Sequence, residues 1–175
     1  MPKQEKVIPE FYAVIPNKFL AGNYPNAWDD EELRGKLRRL LEHDVTFFLD
    51  LTEEGEDVNS YLSLLKQEAD TLEKDIEYKR LPIPDNEVPS IDGMRHILDA
   101  IDMAIEKNCV VYVHCCFGIG RTGTVAGCYL VRHGMTGEQA LNHLVHLRAK
   151  TQFDGIDSPS SPKQKEMVRN WSIGL

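Results

Sequence analysis

Val110-Val111-Tyr112-Val113-His114-Cys115-Cys116-Phe117-Gly118-Ile119-Gly120-Arg121-Thr122-Gly123-Thr124 is the stretch that organises the chain. Val110–Val113 is a short apolar run rich in β-branched residues, the pattern of a strand buried on both faces. It delivers His114 and Cys115 to a turn in which Gly118 and Gly120 let the backbone curl, so that successive N–H groups point inward as an anion nest. A helix opening near Arg121 adds unpaired N–H groups and the positive end of its dipole. A phosphate-sized oxyanion fits such a cradle.

Each side chain of the stretch has a use in that cradle. Arg121 can grip two oxygens through its planar fork. The same positive field favours the thiolate of Cys115, the nucleophilic form of a thiol. Thr122 is placed to hydrogen-bond the sulfur and to stabilise it when it leaves. His114 is expected to order the loop through hydrogen bonds, since a thiolate needs no base. Cys116, Phe117, Gly118, Ile119 and Gly120, with Arg121, form the expected wall for the bound group. Taken singly, these residues suit a core strand, a turn and a surface arginine; in this order they seldom arise by chance. The competing nucleotide cradle, G-x4-G-K-[ST], is absent.

Outward from this stretch, short β-rich segments alternate with longer helical ones. Strands are expected near Phe11–Val14, Phe19–Ala21, Val45–Leu49, Ile76–Leu81 and Val110–His114. Leu33, Leu37, Leu40 and Leu41 form one helical stripe, and Met94, Ile97, Leu98, Ile101 and Ile105 another. Ser90 is an expected N-cap for the second. A helix from about Arg121 to His133 stops at Gly134, Thr136-Gly137-Glu138-Gln139 has the form of a capping box, and a last helix runs from about Pro162 to Trp171. No repeat or linker divides the 175 residues, so one domain with its core at about 10–172 is expected. The fold class is α/β: a three-layer domain with a central, mainly parallel sheet of about five strands flanked by helices. Ligands of such sheets bind beyond the carboxyl ends of the strands, which nominates three loops: Asp50–Asp57, Pro82–Pro89 and Cys115–Gly120.

The formal charge of −8 argues against a nucleic-acid binder working through a basic surface. No apolar run is long enough to span a bilayer, and Met1–Lys6 opens no secretory signal, so no membrane partner is expected and the cytoplasm is the default compartment. Cys109, Cys115, Cys116 and Cys128 include no C-x2-C pair, which points to reduced thiols rather than zinc ligands. His143 and His146 lie three apart without a third ligand, and Arg148 suits pairing with a carboxylate. Neither metal nor organic cofactor is expected.

His114-Cys115-x5-Arg121-Thr122-Gly123 resembles the signature of the protein tyrosine phosphatase superfamily. The chain's length resembles the compact dual-specificity branch, and Val111-Tyr112-Val113 with Gly127-Cys128-Tyr129-Leu130 is most similar to bacterial and archaeal members. Cys116 departs from similar microbial sequences, which often carry a bulky aromatic residue there. It is read as a small apolar filler or as a redox partner system, in which Cys109 or Cys128 would pair with oxidised Cys115. The resemblance implies a phosphomonoesterase with Cys115 as nucleophile and Arg121 as phosphate ligand, acting on a phosphorylated protein or peptide; it leaves the oligomeric state open. It also implies that Asp85, 30 residues before Cys115 in Leu81-Pro82-Ile83-Pro84-Asp85, is the general acid, with a turn or capping aspartate as the plain alternative. Asp92 and Glu87 are its rivals. Gln164 resembles a glutamine that positions water, although a helix-surface glutamine explains it equally. Asp50-Leu51-Thr52-Glu53-Glu54 is either a pocket wall or a solvated acidic loop. An arsenate reductase-like thiol enzyme and a silent phospho-binding module are the other readings. Phosphoinositide and RNA-triphosphate enzymes of similar design often place lysine or arginine inside the loop; Cys116–Gly120 carries none, so the resemblance favours phosphotyrosine or other phosphoprotein groups.

Overall fold

A computed structural model describes residues 9–56 and 60–175. The leader-less start expected at Met1–Lys6, and Asp57 at the end of the first candidate loop, lie outside the described residues. Among the described residues five strands form one sheet: β1 (Phe11–Ile15), β2 (Phe19–Gly22), β3 (Val45–Asp50), β4 (Glu77–Arg80) and β5 (Val110–His114). Their spatial order is β1-β2-β5-β3-β4; β1 runs antiparallel to β2, and every other pair is parallel. All five residues of β5 are buried, as its unbroken apolar run requires at the centre of a parallel sheet.

Six helices among the described residues cover the sheet: α1 (Asp30–Glu42), α2 (Leu62–Thr71), α3 (Ile91–Glu106), α4 (Gly120–Arg132), α5 (Gly137–Arg148) and α6 (Pro162–Asn170). Alternation along the strands divides the interior into two cores. Val111 and Val113 of β5 join Leu49 of β3 against α3 and α4, with Leu144 of α5 and Val168 of α6 behind. Tyr112 and Phe48 face the other way, onto the leucine stripe of α1 and onto Leu64 and Leu65 of α2. This is the expected three-layer arrangement. α4 is the central helix, buried from Arg121 to Val131.

The helix ends follow the local chemistry. Asp29 and Ser90 cap α1 and α3 by accepting from Glu32 N and Gly93 N, and Thr136 and Ser161 build complete capping boxes with Gln139 and Gln164. Helix α2 is the element the sequence does not announce. It begins at Tyr61 with no side-chain cap, so its start signal is missing. Tertiary ties hold it instead: Glu68 of α2 accepts from Arg34 Nη1 at 2.6 Å and Arg38 Nε at 2.5 Å of α1. Among the described residues no helix is long and apolar enough to cross a membrane.

The parallel strands end in one row. Gly22 and Asp50 each pair with His114, and Arg80 pairs with Asp50. The loops that leave this row make the site.

Candidate active site

The Cys115–Gly120 loop is clamped from outside. Leu51 N donates to His114 O at 2.9 Å, and Tyr24 N donates to Cys116 O at 3.1 Å. Gly118 has φ +71°, and a Cβ there would lie 2.5 Å from the Gly22 carbonyl carbon, so both backbone conformation and space demand glycine. Ser158 Oγ donates to Ile119 O at 2.7 Å, fixing the last residue before α4. Ile119 supplies no side-chain cap. The first-turn N–H groups of α4, which have no intrahelical acceptor, therefore remain for an anion.

Cys115 is buried at the foot of this loop. Arg121, only 2% exposed, lies close enough to feel the Cys115 charge and is held in a fixed pose. Its Nη1 donates to Glu56 Oε1 at 2.7 Å and to Ile83 O at 2.9 Å, and its Nη2 donates to Glu56 Oε2 at 2.8 Å. Asp85 Oδ1 lies 3.2 Å from Nη2. Among the described residues Nε–H has no protein acceptor, so that edge of the fork is left for a ligand. Burial alone would weaken the charge on Arg121, but the Glu56 bonds and the nearby Cys115 and Asp85 charges outweigh it and push its pKa up. Glu56 shifts the other way: the bonds from Arg121 hold its carboxyl below the usual range.

Asp85 occupies a tight turn closed by Glu87 N donating to Pro84 O at 3.0 Å, with Asn86 in the left-handed region at φ +60°. The turn is anchored at Ile83, whose N–H donates to Leu51 O at 3.0 Å and whose carbonyl meets Arg121. The Asp85 side chain is itself 59% exposed, next to Arg121 but open to a bound molecule.

His114 faces the framework rather than the cradle. Its Nε2 lies 2.7 Å from Tyr61 Oη and its Nδ1 lies 3.3 Å from Cys115 O. Asp50 Oδ1 is 3.9 Å from Nδ1 and accepts from Thr52 N and Oγ1, while Asp50 Oδ2 accepts from Tyr78 Oη at 2.7 Å. Burial would raise the Asp50 pKa, yet His114 and these bonds more than offset it and lower it. Thr122 is buried, and its hydroxyl donates to Gly22 O at 3.5 Å rather than to the Cys115 sulfur.

Residues 25–135 match the family model described as polymorphic toxin system, DSP-PTPase phosphatase. The chain belongs to this DSP-PTPase phosphatase family. The match takes in the Asp85 turn, β5, the whole Cys115–Arg121 loop and α4. Over 96 residues the chain is 33% identical to the Arabidopsis thaliana phosphatidylinositol 3,4,5-trisphosphate 3-phosphatase and protein-tyrosine-phosphatase PTEN1, covering 54% of this chain and 22% of that protein. Over 145 residues it is 25% identical to the tyrosine-protein phosphatase CDC14 of Candida albicans, covering 82% of this chain and 26% of that protein. The chain thus spans about a quarter or less of these two relatives. The active form of Tk-PTP shares its fold with a TM-score of 0.71 at 22% identity, over 93% of this chain and 96% of that one. The kinase associated phosphatase KAP, carrying serine for its catalytic-site cysteine, does so with a TM-score of 0.72 at 18% identity, over 94% of each chain.

Within this member of the DSP-PTPase family the remaining candidates sort by position. Gln164 is no surface residue: it is fully buried, its amide packs where a Gly120 Cβ would sit 2.9 Å from Nε2, and Nε2 donates to Glu87 O at 3.3 Å. It also completes the α6 capping box, so one side chain serves the helix and borders the loop. Asp92 sits in the first turn of α3 against Arg95, and Glu87 pairs with Lys163; neither approaches Arg121 as Asp85 does. The Asp50–Glu54 segment divides, with Asp50 and Thr52 buried and Glu53 and Glu54 exposed. Arg148 finds aromatic faces instead of the expected carboxylate, its Cζ lying 5.4 Å from the Phe153 ring centroid and 6.0 Å from that of Tyr12. All four cysteines are free. Burial, and then the neighbouring Cys115 charge, push the Cys116 thiol up, which suits a filler better than a second thiolate. Burial alone pushes Cys128 well above its ordinary value. Glu56, which lies in the nominated Asp50–Asp57 loop without being singled out there, and Tyr61, which no sequence signal marks, are the contacts to Arg121 and His114 that the sequence reading does not name.

Proposed function

We propose that the protein is a cysteine-dependent phosphomonoesterase acting on phosphorylated protein or peptide, with tyrosine or dual specificity. The observation that carries this reading is buried Arg121, within reach of the Cys115 charge and oriented by Glu56, with its Nε–H left without an acceptor among the described residues and Asp85 beside its Nη2. The Cys115 thiolate attacks phosphorus as the bond to the leaving oxygen breaks, and the Asp85 carboxyl gives that oxygen its proton. Arg121 and the loop N–H groups bind the equatorial oxygens, whose charge is spread in the transition state. Asp85, now a carboxylate, takes a proton from water; the water oxygen attacks phosphorus, the S–P bond breaks, and thiolate and phosphate are restored. Thr122 would turn its long hydrogen bond from Gly22 O to the leaving sulfur. His114 holds the loop through Tyr61 and Cys115 O, and Gln164 would help to orient the water.

The reaction needs no metal or organic cofactor, and in this reading the 175 residues form one catalytic domain. A cytoplasmic setting fits four free thiols. Relatives named for phosphoinositide and for protein phosphatase activity support a phosphorylated substrate in general. Turnover of a chromogenic aryl phosphate tests the reading: wild type is expected to hydrolyse it and Cys115→Ser to be inactive, while normal turnover by Cys115→Ser would overturn it.

A further inference from the structure

Beside the Cys115–Arg121 loop lies an open groove of about 750 Å³, with buried Leu33 and Leu64 at its base and Trp28 and Phe117 on its walls. Trp28 is 99% exposed and Phe117 68%. A tryptophan left uncovered to that extent carries a large apolar surface that gains by being covered.

Local helix chemistry gives Trp28 another place to go, and it does not take it. It precedes Asp29, the N-cap of α1, the position from which an apolar side chain folds back onto the fourth helical residue. That residue is Leu33, which is covered by the core, while the Trp28 ring stands in solvent. Among the described residues only the Trp28 backbone is tied, its N–H donating to Glu32 Oε2 at 3.2 Å. Phe117 belongs to the catalytic loop itself, so the groove is continuous with the site.

The rim is acidic. Asp29, Asp30 and Glu56 line the groove, and among the described residues no lysine or arginine does. Glu56 is committed to Arg121, and Asp29 gives one oxygen to the α1 cap, which leaves Asp30 and the other oxygen of Asp29 for whatever enters. Such a rim repels the further phosphates of a polyphosphorylated ligand and attracts a cation.

Resting on the phosphatase reading above, we propose that this groove selects peptide substrates in which a lysine or arginine flanks the phosphorylated residue. The cation lies against the faces of Trp28 and Phe117 with Asp29 and Asp30 beside it. Aromatic faces attract a cation through their quadrupole while covering its aliphatic stem, so one side chain satisfies both the apolar walls and the charged rim.

The test is kcat/KM on phosphotyrosyl and phosphothreonyl peptides that differ only by lysine or glutamate at each flanking position, with an aryl phosphate as reference. Wild type is expected to favour lysine by about tenfold at one position or more, an advantage that shrinks as salt is added. Trp28→Ala and Asp30→Asn are each expected to cut that ratio by about threefold or more; the Trp28 side chain is too exposed for its loss to disturb folding. Equal rates on the paired peptides, or an unchanged ratio in both variants, would overturn the groove assignment while aryl phosphate turnover keeps the phosphatase reading. Faster turnover of an inositol polyphosphate or of phosphoinositide vesicles than of any peptide would also overturn it. Failure of wild type to hydrolyse even the aryl phosphate would overturn the phosphatase reading itself.

Discussion

The protein buries two arginines to the same depth, each 2% exposed, and treats them in opposite ways. Arg121 meets two carboxylates and a carbonyl, and its charge is reinforced. Arg148 meets two aromatic faces and the carbonyl of Ile156 at 2.8 Å, with Nε and Nη2 buried and unpartnered among the described residues, and burial weakens its charge. A buried cation surrounded by ring faces is a packing residue whose desolvation is only partly offset. A buried cation neutralised on one edge and open on the other is prepared to take an anion.

The contrast can be broken by substitution. Arg121→Ala removes the ligand of the equatorial oxygens and is expected to lower kcat/KM roughly 10³-fold, the scale of losing a preorganised donor in a dry site. Asp85→Asn removes the proton source and is expected to lower kcat by about 10²-fold, most for poor leaving groups, in a series of aryl phosphates of rising pKa. Glu56→Gln keeps the shape but loses the charge that positions Arg121, so kcat/KM is expected to fall about tenfold. At the small end, Arg148→Met is expected to leave kcat/KM within about threefold and stability near or above wild type, because a costly buried charge is replaced by apolar volume. If Arg148→Met were as damaging to turnover as Arg121→Ala, the contrast would be wrong.

Acid sharpens the same comparison. Glu56 is held below the ordinary carboxylate range by Arg121. Its contribution to folding is therefore complete above its unfolded pKa, about 4.3, and is lost as pH falls below that toward the folded value. Thermal melts across that window are expected to show wild type losing stability more steeply than Glu56→Gln.

The parts of this architecture legible in sequence are the ones built locally. The Cys115–Arg121 cradle is one contiguous loop whose every residue type has a use, and the caps at Ser90 and Thr136 are short-range patterns. Asp85 is legible only through its spacing in a proline-stiffened turn. Glu56 reaches Arg121 across 65 positions and Tyr61 reaches His114 across 53, so no window of sequence contains either pair. Gln164 stays open between two readings for another reason: its place in the first turn of a helix fits a surface residue as well as a site residue, and only the packing of α6 buries it beside Gly120. The uncapped start of α2 hides a whole element because tertiary contacts hold it, Leu64 and Leu65 in the core and Glu68 on the arginines of α1.

The account turns on a covalent bond from phosphorus to Cys115. Rapid acid quench of the enzyme with a labelled aryl phosphate, followed by peptide mapping, tests that bond directly. Wild type, and more strongly a variant slowed in the hydrolytic step, is expected to carry phosphate on the peptide holding Cys115, and Cys115→Ser to turn over no substrate. Normal turnover with phosphate on no cysteine, or on Cys116 instead, would contradict the account.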